Sequence, residues 1–388
     1  MIGGQTDVRH VLLVETRTEG HHLTWLRYIA EDLLSAGFKV SAATSPDPPS
    51  RRAIEEELAD LHPKLNQYPL STTNLRSSSG PRTVVEIAAQ ARAGQVFFNS
   101  FDEIASRSLR KAAFGLFPPN AVKGKLGGIY FRPRFLQHSG FSIQNWLKRV
   151  GFARLIKRNF FNRILLLDED LSLTGQGVCP AAPLTFLPDP YPANFRVDSA
   201  SSRSALGLES SRAVFLFYGG PYRRKGMHLT AEAFQQLDPA RPLLLYGGQP
   251  PEDENLLSRL RELERRGMAR LFLNRVSDQE EKLLFASADF VLLPYIGHFG
   301  SSGVLSRAVG AHKPVIASDE GLVGKRVRQH DLGLLFPTGD LEGLKRAIAQ
   351  GAAMNEKALD PWRSNAARYS ATCSREAFRA ALLESFKA

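Results

Sequence analysis

Residues 288–327 read ADFVLLPYIGHFGSSGVLSRAVGAHKPVIASDEGLVGKRV. The run FVLL at 290–293, closed by Pro294, is apolar without alternation, which is how a strand buried on both faces of a parallel sheet reads. A Gly/Ser loop follows at 297–303, then a stretch of helical character at 304–310 and a second short apolar strand, PVIA, at 314–317. A strand, a glycine-serine loop and a helix start offer free backbone N–H groups and the positive end of a helix dipole to an anion. Ser301, Ser302, Gly303 and Val304 are therefore candidates for holding a phosphate. The alternative is an ordinary turn, its glycines and serines serving only backbone freedom.

The same rhythm runs outward in both directions. Towards the N-terminus of this half lie a strand AVFLF at 213–217, the loop GGPYRRKG at 219–226, a helix at 228–237 and a strand LLLY at 243–246. A charged helix at 255–266 and a short strand at 271–273 follow; Ser277 and Glu280 then have capping-box spacing at the start of a helix. The first half opens with VLLV at 11–14, ETRTEGHH at 15–22, an amphipathic helix at 23–36 ended by Gly37, and KVSAA at 39–43. In such a β-loop-α-β unit the loop lies at the carboxyl end of the first strand, where open α/β sheets bind ligands. That places Glu19, His21 and His22 at a candidate site, although a histidine at a helix start more often packs or caps. Residues 65–82 read as loop, and strands are expected at 95–99, 127–131 and 163–167. Asp168-Glu169-Asp170 reads as a solvated strand end rather than a metal site, since no second acidic group accompanies it. LTFLPDPYP at 184–192 is too rich in proline for a helix or a central strand. The domain boundary belongs there: residues 1–195, then 196–370, then a C-terminal helix at 371–388 that packs back on the first domain.

At 388 residues the chain exceeds one core's usual size. No apolar run is long enough to span a membrane, and the first residues lack a signal peptide's apolar core. Cys179 and Cys373 have no metal-ligand spacing, so the expected place is the cytoplasm. The net charge of +11 is uneven: residues 104–167 hold thirteen Lys or Arg and no Asp or Glu. Such a block calls for an anionic partner. Within it, 141–161 interleaves Phe141, Trp146, Phe152 and Phe160 with Lys148, Arg149, Arg154, Lys157 and Arg158. That composition suits an anionic membrane surface; a core-facing helix with a solvated basic face is the plainer account. No nucleic-acid motif accompanies the charge.

The segments GGPYRRKGMHLTAEAF, LLLYGG, LFLNRVSDQEEKLLFASADFVLLPY and GVLSRAVGAHKPVIASDEGLVGKRV, in this order and spacing, resemble a glycosyltransferase of the GT-B fold, closest to family 4. The resemblance implies two Rossmann-like, doubly wound domains facing across a cleft. A UDP- or GDP-linked sugar would lie mostly on the second domain, with no metal and no other cofactor, and retention of configuration is the family's outcome. Lys225 matches the family lysine that meets the diphosphate. The arginine usually five positions earlier is Gly220 here, so Arg223 or Arg224 would substitute, alongside Gly219. Arg275 and Val276 fall where the family frames the nucleobase. The family's pair of glutamates, E-x7-E, is missing: its positions fall at Phe299 and Arg307, and Asp319 or Glu320 is a possible replacement. The implied acceptor is a glycan or lipid-linked hydroxyl at the inner membrane face, positioned by His21, His22 or Glu19. A GT-B epimerase or phosphorylase and a non-catalytic sugar-nucleotide binder are the rival classes.

Overall fold

The computed structural model describes residues 7–136, 142–209, 211–238 and 242–387; Phe141 lies outside them. It divides into two compact units, Met1–Leu187 together with Arg379–Ala388, and Pro188–Phe378. Each is built on an all-parallel sheet. The first contains β1 (Asp7–Val14), β2 (Lys39–Thr44), β3 (Leu65–Pro69), β4 (Ala93–Phe98), β5 (Leu126–Tyr130), β6 (Phe161–Leu166) and β7 (Leu184–Phe186), in the order β3-β2-β1-β4-β5-β6-β7. The second contains β8 (Ala213–Tyr218), β9 (Pro242–Gly248), β10 (Ala269–Leu273), β11 (Phe290–Leu293), β12 (Val315–Ser318) and β13 (Gly333–Phe336), in the order β10-β9-β8-β11-β12-β13. The central strands are apolar on both faces because helices cover both: Val11, Leu12 and Leu13 are fully buried, as are Phe290, Val291 and Leu293.

In each sheet the chain winds outward from one strand, then jumps back past it and winds the other way. The reversal falls between β1 and β4 in the first unit and between β8 and β11 in the second. Adjacent loops leave such a point in opposite directions, opening a crevice at the carboxyl ends of the strands. The loops after β1 and β8, singled out from the sequence, therefore sit at the two switch points.

The structure corrects several local expectations. Residues 65–82, read as loop, form β3, the helix Thr72–Arg76 capped by Ser71, and the start of the helix Gly80–Ala91. The helical piece expected over 141–161 is the helix Ile143–Lys157, after which Phe160 and Phe161 enter the core. This helix packs on Asp102–Ala113 so closely that a Cβ on Gly151 would lie 1.7 Å from the Leu109 carbonyl oxygen. Asp168 is a helix cap, its carboxylate accepting from the amides of Asp170 and Leu171 at 3.0 and 3.1 Å. Residues 188–195 fold with the second unit, where Phe195 packs edge-on against Phe285 at 5.3 Å. The helix Arg375–Ser385 carries the chain back to the first unit. There Phe386 packs against Phe38, Phe97 and the guanidinium of Arg163, 3.6 Å from its ring centre.

Candidate functional site

In the second unit, the loop after β8 is held by two glycines. Gly226 has φ 76, and a Cβ there would lie 1.9 Å from the carbonyl oxygen of Pro294, so this loop can approach the loop after β11 only as glycine. Gly219 has φ 100, and the Nζ of Lys225 lies 3.0 Å from where its Cβ would be. Lys225 is thus folded back over the glycine loop and half-buried. Among the described residues it has no carboxylate partner; its Nζ sits 5.8 Å from the ring centre of Tyr295. Burial, reinforced by Arg224 and Arg307, pushes its amine down to about 8. A half-buried, unpaired cation on a glycine loop at a switch point waits for an anion. Arg224 donates towards His298 Nδ1 at 3.1 Å, while Arg223 points to solvent. Gly220 is crowded by the ring of Tyr222, 2.6 Å from its Cβ position.

The loop after β11 ends in the helix Gly303–Gly310, capped by Ser302. The serine hydroxyls are already engaged inside the protein. Ser302 Oγ accepts from the Leu305 amide at 3.3 Å and bonds the Tyr295 hydroxyl at 2.9 Å. Ser301 Oγ donates to Asp189 at 3.0 Å and accepts from Arg326 at 2.9 Å. The donors left for a ligand are the amides of Gly303 and Val304, first-turn groups for which the helix offers no acceptor and which the Ser302 cap, bonded to Leu305, does not reach. Tyr295 ties this helix start to Lys225, its ring beneath the amine and its hydroxyl on Ser302.

Two carboxylates that sequence reasoning did not single out complete this site. Asp189, from the proline-rich exit, lies by the helix start; burial raises its pKa against the pull of Ser301, Arg307 and Arg326. Glu281, which is 6% exposed, accepts from Arg307 Nε at 2.6 Å and bonds the Tyr218 hydroxyl. Arg307 donates as well to the Gly303 carbonyl at 3.2 Å. Burial opposes its charge, but Glu281 and Tyr218 outweigh that and its pKa is raised. The signal for Glu281 was an arginine on a buried helix face, which demands a counter-charge. Arg275 is exposed and Val276 half-buried, between β10 and the Ser277/Glu280 capping box. Asp319 accepts from the amide and hydroxyl of Thr338 at 3.0 and 3.1 Å.

In the first unit, the helix His21–Ser35 starts after Gly20. The His21 side chain lies outside the described residues. His22 is buried, its Nδ1 2.8 Å from Glu15 Oε2, and Asn99 donates to that same oxygen at 2.8 Å. Glu19 is exposed, 3.7 Å from the Nε of Arg17. On the basic surface, Arg149 and Arg154 bind the carbonyls of Phe135 and Ala113, and Lys148 is half-buried. Lys157, Arg158 and Trp146 are exposed, as are Ile143, Phe114 and Leu116. Among the described residues no helix is long and apolar enough to cross a membrane.

Three comparisons bear on this geometry. Residues 212–353 match the profile of the family Glycosyl transferases group 1. A search of curated proteins returned no match. Among solved structures, Anabaena HepE in complex with UDP and glucose superposes with a TM-score of 0.70 at 17% identity, over 97% of this chain and 99% of that one. A glycosyltransferase from Rickettsia africae gives 0.74 at 13% identity over 98% of both chains. WaaG, a glycosyltransferase involved in lipopolysaccharide biosynthesis, gives 0.65 at 17% identity over 97% and 98%.

Proposed function

We propose that this chain, which has the GT-B fold and carries a glycosyl transferases group 1 domain over residues 212–353, is a glycosyltransferase that moves a sugar from a nucleotide-diphosphate sugar to a hydroxyl of a glycan or lipid-linked acceptor. The observation that carries the reading is Lys225: a half-buried amine with no carboxylate partner among the described residues, on a glycine loop at the switch point and coupled through Tyr295 to the start of the helix Gly303–Gly310. Those groups suit the diphosphate of the donor. Charge grows on that diphosphate as the glycosidic bond breaks, and a preorganised cation with helix amides stabilises it more in the transition state than in the ground state. Lys225, with Arg224 beside it, supplies positive charge without calling on a metal or another cofactor. Arg307 stands at the position that the resembled family gives to its ribose-facing glutamate, and its partly exposed guanidinium, held by Glu281, is the candidate donor to the ribose diol. The complexes of HepE with UDP and UDP-glucose favour a uridine-linked donor, with a guanosine-linked one as the alternative.

Glu19 is the exposed candidate for orienting the acceptor, and His22 supports that loop from within through Glu15 and Asn99. Lys157 and Trp146, with Arg158 stacked 4.1 Å over the Phe117 ring, form the exposed part of the basic surface that suits an anionic membrane holding a lipid-linked acceptor. A thermal-shift screen against UDP- and GDP-sugars tests the reading, since a ligand that binds only the native state raises its melting temperature. A shift with at least one nucleotide sugar, lost in Lys225→Ala, is the expected result. No shift with any of them would overturn it.

A further inference from the structure

Outside the donor loops, the first unit carries an open pocket of about 420 Å³ at the carboxyl ends of β1, β2 and β3. This is within the usual range for a small-molecule site. Its lining is polar throughout: Arg17 and Glu19 from the loop after β1, Asp47 and Ser50 after β2, Thr72 and Arg76 after β3. No apolar wall exists for an acyl chain. The charges decide what it can hold. Both guanidiniums are already attached to one buried carboxylate: Arg17 donates to Glu103 Oε1 at 3.3 Å and Arg76 to Glu103 Oε2 at 2.7 Å. Glu19 lies 3.7 Å from Arg17 on the other side, and Asp47 is held below the usual carboxylate range by hydrogen bonds from Ser50. Three carboxylates thus face two guanidiniums. A phosphate or uronate would meet no net positive charge and two exposed carboxylates. A sugar hydroxyl both donates and accepts, so it fits side-by-side guanidinium and carboxylate groups; of the lining hydroxyls, Thr72 Oγ1 donates to Thr16 and Ser50 Oγ lies 3.4 Å from Thr18 Oγ1, so they serve a ligand as acceptors.

We propose that this pocket takes the acceptor, and that the end of the acceptor seated there is a neutral, polyhydroxylated sugar. The charged surface around Lys157 and Arg158 then serves any anionic part elsewhere on the same molecule. This rests on the glycosyltransferase reading above and adds the chemical class of the acceptor.

Saturation-transfer NMR on the full chain, with p-nitrophenyl glucoside, galactoside and mannoside against p-nitrophenyl glucuronide as probes, tests it. At least one neutral glycoside is expected to bind, about tenfold more weakly to Arg76→Gln and to Thr72→Val. The glucuronide is expected to stay silent with the native protein and to gain binding in Glu19→Gln/Asp47→Asn, which removes both exposed carboxylates. Binding of the glucuronide as tight as that of its neutral counterpart overturns the proposal, as does silence of all the neutral probes or indifference to both lining variants. A nucleotide-sugar thermal shift on the same samples separates the two readings. If the shift persists while the glycoside results fail, only the acceptor assignment falls; if no nucleotide sugar shifts the protein, the enzyme reading falls with it.

Discussion

Lys225 offers a quantitative handle. Its amine is pushed from 10.5 to about 8 by burial and by the cations of Arg224 and Arg307. At about 1.36 kcal/mol per tenfold change, holding the charged amine there costs on the order of 3 kcal/mol, which a bound diphosphate can offset by pairing with it. A direct estimate agrees: opposite charges about 4 Å apart at an effective dielectric of about 20 attract by about 4 kcal/mol. Replacing Lys225 by Ala is therefore expected to weaken binding of UDP or GDP at pH 7 by on the order of 100-fold. The pH dependence is the sharper test, and its sign follows from the direction of the shift. Free protein loses the Lys225 proton near pH 8, while a bound diphosphate holds it. Affinity should be level below about pH 7.5 and fall about tenfold per unit above 8, by up to about 300-fold near pH 10.5. Isothermal titration with the nucleotide diphosphate across pH 7–10 measures this for the native chain and the variant. A native profile that stays flat, or a variant that keeps the native slope, refutes the assignment.

Three further outcomes are accessible. Glu281→Ala leaves the half-buried Arg307 without its carboxylate and should cost about 2–4 kcal/mol in urea denaturation, most of it recovered in Glu281→Ala/Arg307→Leu; a loss under about 1 kcal/mol in the single variant would show the pair to be solvated. Gly226→Ala sets a methyl group against the Pro294 carbonyl oxygen at φ 76 and should destabilise by more than about 2 kcal/mol, against about 1 for Gly297→Ala, where φ is 63 and nothing crowds the Cβ. Equal melting temperatures would sink that comparison. Lys157→Glu/Arg158→Glu and Trp146→Ala should each reduce flotation with phosphatidylglycerol vesicles at low salt; undiminished flotation would assign the basic surface to another anion.

The alternation of apolar strands and helices carried most of the architecture, because a strand buried on both faces needs no companion to be recognised. Edge elements were another matter. β3 reads LNQYP, with its polar positions facing partly to solvent, and the helices after it begin among Ser and Thr residues that the eye takes for loop. In the second unit the glycines of the loop after β8 were legible from backbone need, whereas Lys225 was singled out only through the family resemblance. Asp189 and Glu281 were not. The first sits in a proline-rich connection, the second beside a capping box that accounts for its neighbours locally, and each meets its partner more than 20 positions away. Ser301 and Ser302 were read as ligand groups, yet their hydroxyls close internal bonds, a distinction that only three-dimensional neighbours make.

The return of residues 379–387 to the first unit has a bearing on how the polypeptide is made. Phe386 packs edge-on against Phe38 and tilted against Phe97, and its ring lies against the guanidinium of Arg163, whose burial lowers its pKa to about 10. A nascent chain emerging from the ribosome therefore holds an N-terminal half with an aromatic wound still open while the whole intervening half is synthesised. Removing residues 379–387 would reopen that wound, so losses there should surface as aggregation of the N-terminal half before any change in nucleotide handling.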